Sequence, residues 1–203
     1  MNMVIIKYNA GNIESVNNAL QRLGVVAEIT GDHDKIRKAD KVIFPGVGEA
    51  STTMAYLKRE GLDKLIPNLK QPVLGICLGL QLMCSHSEEG DTPCLGIFDE
   101  KVKRFVPEPG MEFVTKVPHM GWNSISRLES ELFDPTIDQQ YVYFVHSYYA
   151  AVGEHTAAVC DYINPFSAAL HKDNFYATQF HPEKSGTVGA RILENFLKIV
   201  PKN

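Results

Sequence analysis

The stretch that decides the fold is "VLGICLGLQLM", residues 73–83. An apolar run climbs to Cys77, Gly75 and Gly79 stand two residues away on either side, and helical spacing begins at once. Glycine weakens a strand interior because it brings no side chain to pack, so two of them around one cysteine need another reason. A sharp strand-to-helix turn supplies it. Gly-x-Cys-x-Gly has the form of a nucleophile elbow with Cys in place of Ser. Flanking glycines let the backbone pass close by without a Cβ clash, and a helix opening at Leu78 would aim its amides at the sulfur and favour the thiolate. A buried cysteine with helix-packing glycines also accounts for the local pattern.

Outward from this stretch, the first eighty-odd residues alternate between strand and helix. Strands are expected at 3–8, 25–30, 41–46 and 72–76, and helices at 12–23 and 49–60, closed by Gly24 and Gly61. Continuous apolar strands separated by helices imply a parallel sheet covered on both faces. After about residue 96 the pattern turns to strand-like segments joined by turns: "KVKRF", "FVTKV" (113–117), "YVYFVHSYYAAV" (141–152), "TAAVCDYI", "SAALHK" and "FYATQF", with "HKDNF" as a hairpin turn. The chain closes on an amphipathic helix whose apolar face is Val188, Ile192, Leu193, Phe196 and Leu197, with Ser185 as its N-cap. The reading is α/β: one domain over 1–203, with a mixed, largely parallel central sheet and helices on both faces.

Composition narrows the function. Apolar residues at 44% and charged residues at 22% are ordinary for a globular chain able to bury a core. The 20 Lys and Arg against 24 Asp and Glu give no basic field, which argues against nucleic acid as a partner. No signal peptide and no membrane span are expected. Cys77, Cys84, Cys94 and Cys160 are scattered, with no CxxC pair, as for reduced thiols in the cytoplasm. His33, His86, His119, His155 and His171 show no metal-ligand spacing and read as surface or packing residues, so neither a metal nor a cofactor is expected.

A nucleophilic cysteine needs a base. In "YATQFHPEKSG" (176–186) a strand runs into His181-Pro182-Glu183. With Pro182 fixing the turn, His181 and Glu183 can point the same way, the carboxylate orienting the imidazole that takes the thiol proton. Alone, the tripeptide could equally be a surface turn. Acyl chemistry also needs donors for a developing oxyanion. "FPGVGEAS" (44–51) offers the amides around Gly46, Val47 and Gly48, and the amide of Leu78 follows the nucleophile directly. A phosphate-binding loop is the other reading of those glycines, but the GK[ST] ending is missing.

The ordered set PGVG, GICLGLQ and HPE resembles the class I, triad-type glutamine amidotransferases over essentially the whole chain. "YNAGNIESV" (8–16), "EEG…LGIF…VKRF" (88–105), "PHMGWN" (118–123) and "FVHSYY" (144–149) resemble one branch of that family, the glutaminase subunits of imidazole glycerol phosphate synthases. The resemblance implies a flavodoxin-like fold and hydrolysis of L-glutamine to glutamate and ammonia by Cys77, His181 and Glu183. It makes Gly46 to Gly48 and Leu78 an oxyanion region completed when the partner's substrate is bound. It also gives a glutamine pocket at Gln81 and the backbone of Ser147 and Tyr148, with His146 packing or hydrogen-bonding. Gln81 lies one turn after Cys77 and so shares its helix face, though it could be no more than a polar helix residue.

The implied partner is a (β/α)8-barrel cyclase subunit that takes up the ammonia, since 203 residues leave no room for a second domain to use it. It would form a heterodimer with this chain and make imidazole glycerol phosphate and an aminoimidazole carboxamide ribotide, in histidine biosynthesis. Asn12, Met120, Trp122 and Lys184 are the interface candidates by motif position; Trp122 could instead be a core residue. Two other readings stay open. A stand-alone Cys hydrolase such as a γ-glutamyl hydrolase would not need the HMGWN segment, and an idle binding module would not need all three of Cys77, His181 and Glu183.

Overall fold

The computed structural model describes residues 1–8, 11–111 and 113–200. Asn9 and Ala10 of the 8–16 motif and Glu112 lie outside them. The first half runs β1 (Met3–Ile6), α1 (Ile13–Arg22), β2 (Ala27–Thr30), α2 (His33–Lys38), β3 (Lys41–Phe44), α3 (Ala50–Arg59), α4 (Leu62–Leu65), β4 (Val73–Ile76) and α5 (Leu78–Met83). The second half runs β5 (His86–Ser87), β6 (Thr92–Pro93), β7 (Lys101–Arg104), β8 (His119–Ser124), β9 (Tyr141–His146), β10 (Tyr148–Ala150), β11 (Thr156–Asp161), β12 (Pro165–Lys172), β13 (Phe175–Thr178) and α6 (Gly186–Lys198).

Among the described residues, seven strands form the central sheet in the order β11-β12-β13-β4-β3-β1-β2. The five from β13 to β2 are parallel, and β12 and β11 extend the sheet antiparallel. Strands β1, β3 and β4 are buried at every residue, as parallel strands between two helical layers must be. Their side chains alternate between the layers. Val4, Ile6, Val42, Phe44 and Val73 pack with Leu57, Leu62, Leu80 and Leu82 of α3, α4 and α5. Met3, Ile5, Ile43, Leu74 and Ile76 pack with Val16 and Leu20 of α1 and with Ile192, Leu193 and Phe196 of α6. At about 1.5–3 kcal/mol for each fully buried large apolar side chain, those three α6 residues suffice to pin the helix to the sheet. A four-stranded sheet, β10-β7-β5-β6, and the β8-β9 ribbon lie outside this core sheet. No helix of the described residues is long and apolar enough to cross a membrane.

Four expectations change. Residues 113–117 are not a strand: the Val114 and Thr115 amides both donate to the Met111 carbonyl, closing a local turn, and Phe113 is 89% exposed. The 141–152 run is two strands, parted at Ser147, because β9 pairs with β8 and β10 with β7. Helix α2 was not foreseen; Asp32 caps it by accepting from the Asp34 and Lys35 amides. Ser185 stands at the head of α6 but does not cap it. Its hydroxyl donates to the His181 carbonyl at 2.6 Å and accepts the Tyr143 amide at 3.0 Å, tying β9 to the turn after β13.

Candidate active site

Parallel pairing of β4 with β13, with Thr178 opposite Ile76, brings the two strand ends together. Cys77 follows β4 at φ +53° and ψ −106°, on the left-handed side that L-residues avoid at a cost of about 1–3 kcal/mol. Three backbone bonds hold it there. The Cys77 amide donates to the Thr178 carbonyl at 2.7 Å, Leu78 to Gly46 at 3.2 Å, and Gln81 to Cys77 itself at 3.2 Å. Both glycine readings hold at once. A Cβ at Gly79 would overlap the Phe44 carbonyl, and one at Gly75 would lie 2.9 Å from Met83 Sδ and 3.1 Å from the Gly79 carbonyl carbon. The glycines seat α5 directly on the strands, and the cysteine takes the strained dihedral.

His181 ends the segment after β13, and Pro182–Lys184 makes one 3-10 turn. Its Nδ1 lies 2.7 Å from Glu183 Oε1, and both side chains are 0% exposed. Asn12 Nδ2 donates to the same carboxylate oxygen and stands 3.4 Å from His181 Nδ1. With Nδ1 committed to Glu183, the nitrogen left free is Nε2, which has no hydrogen-bond partner among the described residues. Burial disfavours the charged imidazole, but interaction with Cys77 and Glu183 outweighs it and lifts the pKa to about 10. Gln179 Nε2 approaches the Cys77 sulfur at 3.7 Å.

A cavity of about 300 Å³ opens over Cys77, and Val47, Gly48, Leu78, Gln81, Ser147 and Tyr148 line it. Gln81 donates both amide hydrogens inward, to the Tyr148 carbonyl at 2.8 Å and Gln179 Oε1 at 3.0 Å, which leaves its own oxygen as the acceptor on offer. The Ser147 carbonyl is already taken by the Phe105 amide at 3.0 Å. The oxyanion candidates are arranged in a closed form. Leu78 N–H is engaged by the Gly46 carbonyl, while the buried Tyr8 hydroxyl holds the Pro45 carbonyl.

Glu89, Pro118, Val145 and His146 line it as well; of these, sequence reasoning assigned a role only to His146, as a packing or hydrogen-bonding residue. Glu89 Oε2 accepts the Ala50 amide at 2.8 Å, and burial raises its pKa. It sits inside the EEG segment, so the signal was present but pointed to no role. Of the interface candidates, Met120 and Trp122 project from β8 at 63% and 55% exposure, and Lys184 is exposed beside His181. Asn12 differs, its amide being turned inward to the His181–Glu183 pair.

The family model described as "Glutamine amidotransferase class-I" matches residues 4–200. A Bacteroides fragilis (strain YCH46) protein named imidazole glycerol phosphate synthase subunit HisH is 65% identical, over 98% of this chain and 100% of its own length. A protein of the same name from Haemophilus influenzae (strain Rd) is 46% identical over 99% of both chains. A crystal structure of a glutamine amidotransferase superposes with a TM-score of 0.71 at 18% identity, covering 96% of this chain and 97% of the other.

Proposed function

Because this chain belongs to the glutamine amidotransferase class-I family, we propose that it is the glutaminase subunit of an imidazole glycerol phosphate synthase, with residues 1–203 acting as one cytoplasmic unit. It hydrolyses L-glutamine and hands the ammonia to a (β/α)8-barrel cyclase subunit. The observation that carries this reading is the strained Cys77 beside a fully buried His181–Glu183 pair held at 2.7 Å.

In the reaction the Cys77 sulfur attacks the side-chain amide carbon of glutamine, with its proton on His181 Nε2. Glu183 and Asn12 fix the ring so that Nε2 faces the sulfur. The tetrahedral intermediate collapses as His181 returns the proton to the leaving nitrogen, releasing ammonia and leaving a thioester. Water, deprotonated by the same nitrogen, then frees glutamate and the thiol. Glu89 offers a carboxylate for the substrate's α-ammonium, and the Gln81 oxygen a further acceptor.

The closed oxyanion arrangement supports gating by the partner. Rotating the Gly46–Val47 peptide would withdraw the carbonyl from Leu78 N–H and turn Val47 N–H toward the same point, giving two donors. Such a donor is worth about 10²–10³-fold in rate. The cyclase would dock on the face that carries Met120, Trp122 and Lys184, so that ammonia, largely protonated near neutral pH, need not cross bulk water.

The test is glutamine hydrolysis by the chain alone, then with the cyclase and its ribonucleotide substrate, alongside Cys77→Ala. Weak activity alone should rise strongly in the complex, and Cys77→Ala should lose glutamine-dependent synthesis while ammonia-dependent synthesis survives. Glutaminase activity retained by Cys77→Ala would refute the nucleophile. Equal, high activity with and without the cyclase would refute the gating.

A further inference from the structure

His119 and His146 face each other across the β8-β9 ribbon, and His119 Nδ1 lies 3.1 Å from His146 Nε2. Burial lowers the pKa of both, to about 4 and about 3, so both rings are neutral near pH 7. A neutral imidazole has one donor and one acceptor, and here the partners fix which is which. His146 Nδ1 is 2.7 Å from the Tyr148 carbonyl and must donate to it. His146 Nε2 must therefore accept from His119 Nδ1–H. His119 Nε2 is left to accept from Asn123 Nδ2 at 3.4 Å, and that amide also donates to the Asp161 carbonyl at 2.9 Å.

The chain continues into the pocket. The Tyr148 carbonyl also takes a hydrogen from Gln81, Gln81 gives its other one to Gln179, and Gln179 reaches the Cys77 sulfur. Every link has a forced direction. The rings themselves cannot swing: His119 is stacked between Phe144 at 4.8 Å and Tyr162 at 4.0 Å. An aromatic cluster of this kind could be filled by apolar rings with no unpaired polar atoms. A polar pair inside it must have every hydrogen bond made, so it fixes geometry there.

We propose that His119 is a positioning residue, whose Nδ1–H, acting through His146 and the Tyr148 carbonyl, fixes Gln81 and the wall of the glutamine pocket and links that wall to the strand bearing Met120 and Trp122. The proposal rests on the glutaminase reading above. His119 touches neither the reacting atoms nor the cavity, and Met120 and Trp122 leave the same strand on the opposite face. Movement of β8 on docking is thereby passed to Gln81 without passing through Cys77 or His181.

The experiment is steady-state glutaminase kinetics in the cyclase complex for wild type, His119→Phe and His119→Asn, with thermal melts of each. Phe keeps the ring stack but leaves His146 Nε2 without its donor; Asn can place an amide nitrogen near the position of Nδ1. His119→Phe should raise KM for glutamine about tenfold with kcat within about threefold of wild type, and His119→Asn should recover most of the loss. Unchanged KM in a folded His119→Phe complex would overturn the proposal, and so would a loss confined to the melting temperature. A wild-type complex that fails to hydrolyse glutamine would instead overturn the underlying functional reading, and this proposal with it.

Discussion

Replacing Gly79 by Ala tests the claim that Cys77, the proposed nucleophile, is held in place by direct contact of helix with strand. The new Cβ would overlap the Phe44 carbonyl oxygen and lie 3.2 Å from its carbon. That carbonyl belongs to β3, inside a sheet paired on both sides, and has no flexible end to bend away. Restoring van der Waals contact requires α5 and β3 to part by about 1 Å. Overpacking of this kind costs about 3 kcal/mol, which for a chain of this size lowers Tm by about 6–12 °C. Since Cys77 directly precedes α5, a shift of about 1 Å also costs about 10²-fold in kcat. The assays are thermal unfolding followed by circular dichroism, and glutaminase kinetics in the complex. Gly75→Ala is the milder companion, because its nearest obstacle is the flexible end of Met83. A Gly79→Ala protein that melts within about 2 °C of wild type and keeps kcat within about twofold would refute the reasoning.

Three further outcomes are expected. Asn12→Gly, chosen because Asn12 sits at φ +72° where glycine is unstrained, removes the side chain that steadies Glu183; kcat should fall about tenfold with little change in melting, as read from paired kinetics and melts. The raised His181 pKa predicts a pH-dependent stability. The folded form holds a proton that the unfolded form releases between the unperturbed 6.5 and about 10, so this contribution is full below pH 6.5 and is lost as pH rises through about 10. Urea unfolding of wild type and His181→Gln across that range should converge with rising pH, and a constant difference would contradict it. Trp122→Ala, at a residue 55% exposed, should weaken cyclase binding by about 30-fold with Tm unchanged to within about 2 °C; calorimetric titration giving wild-type affinity would remove Trp122 from the interface.

Much of this was legible in the chain because periodicity and turn chemistry are local. The apolar runs at β1, β3 and β4 could only be strands buried on both sides, and Gly75-x-Cys77-x-Gly79 placed the turn. Helix α2 was missed because six residues with one buried side chain, Ile36, leave little period to read; the signal that could have found it is Asp32 three residues before Lys35. The apolar letters of 113–117 suggested a strand, but a strand also needs a neighbour to pair with, and no local pattern supplies one. The inward contact of Asn12, a residue expected at the interface, and the place of Glu89 in the cavity escaped for a related reason. Their roles depend on contacts with Glu183 and the Ala50 amide, at separations of 171 and 39 residues, which only the folded chain creates.

The place of β13 between β4 and β12 also orders the birth of the enzyme. The strand that leads to Cys77 is made about a hundred residues before the strand that leads to His181, and on the ribosome that is a delay of about 5–20 s. Until Phe175–Thr178 is inserted, β4 forms the rim of an unfinished sheet, its backbone groups open to any passing strand. The Thr178 carbonyl that anchors the Cys77 amide is likewise missing. A nascent chain therefore holds the Cys77 thiol without His181 and Glu183, and under the proposed mechanism it makes no ammonia before the molecule is nearly complete. Ribosome-stalled chains ending before Phe175 should be inert toward glutamine and more readily digested than the finished protein; measurable hydrolysis by such a chain would contradict this order of assembly.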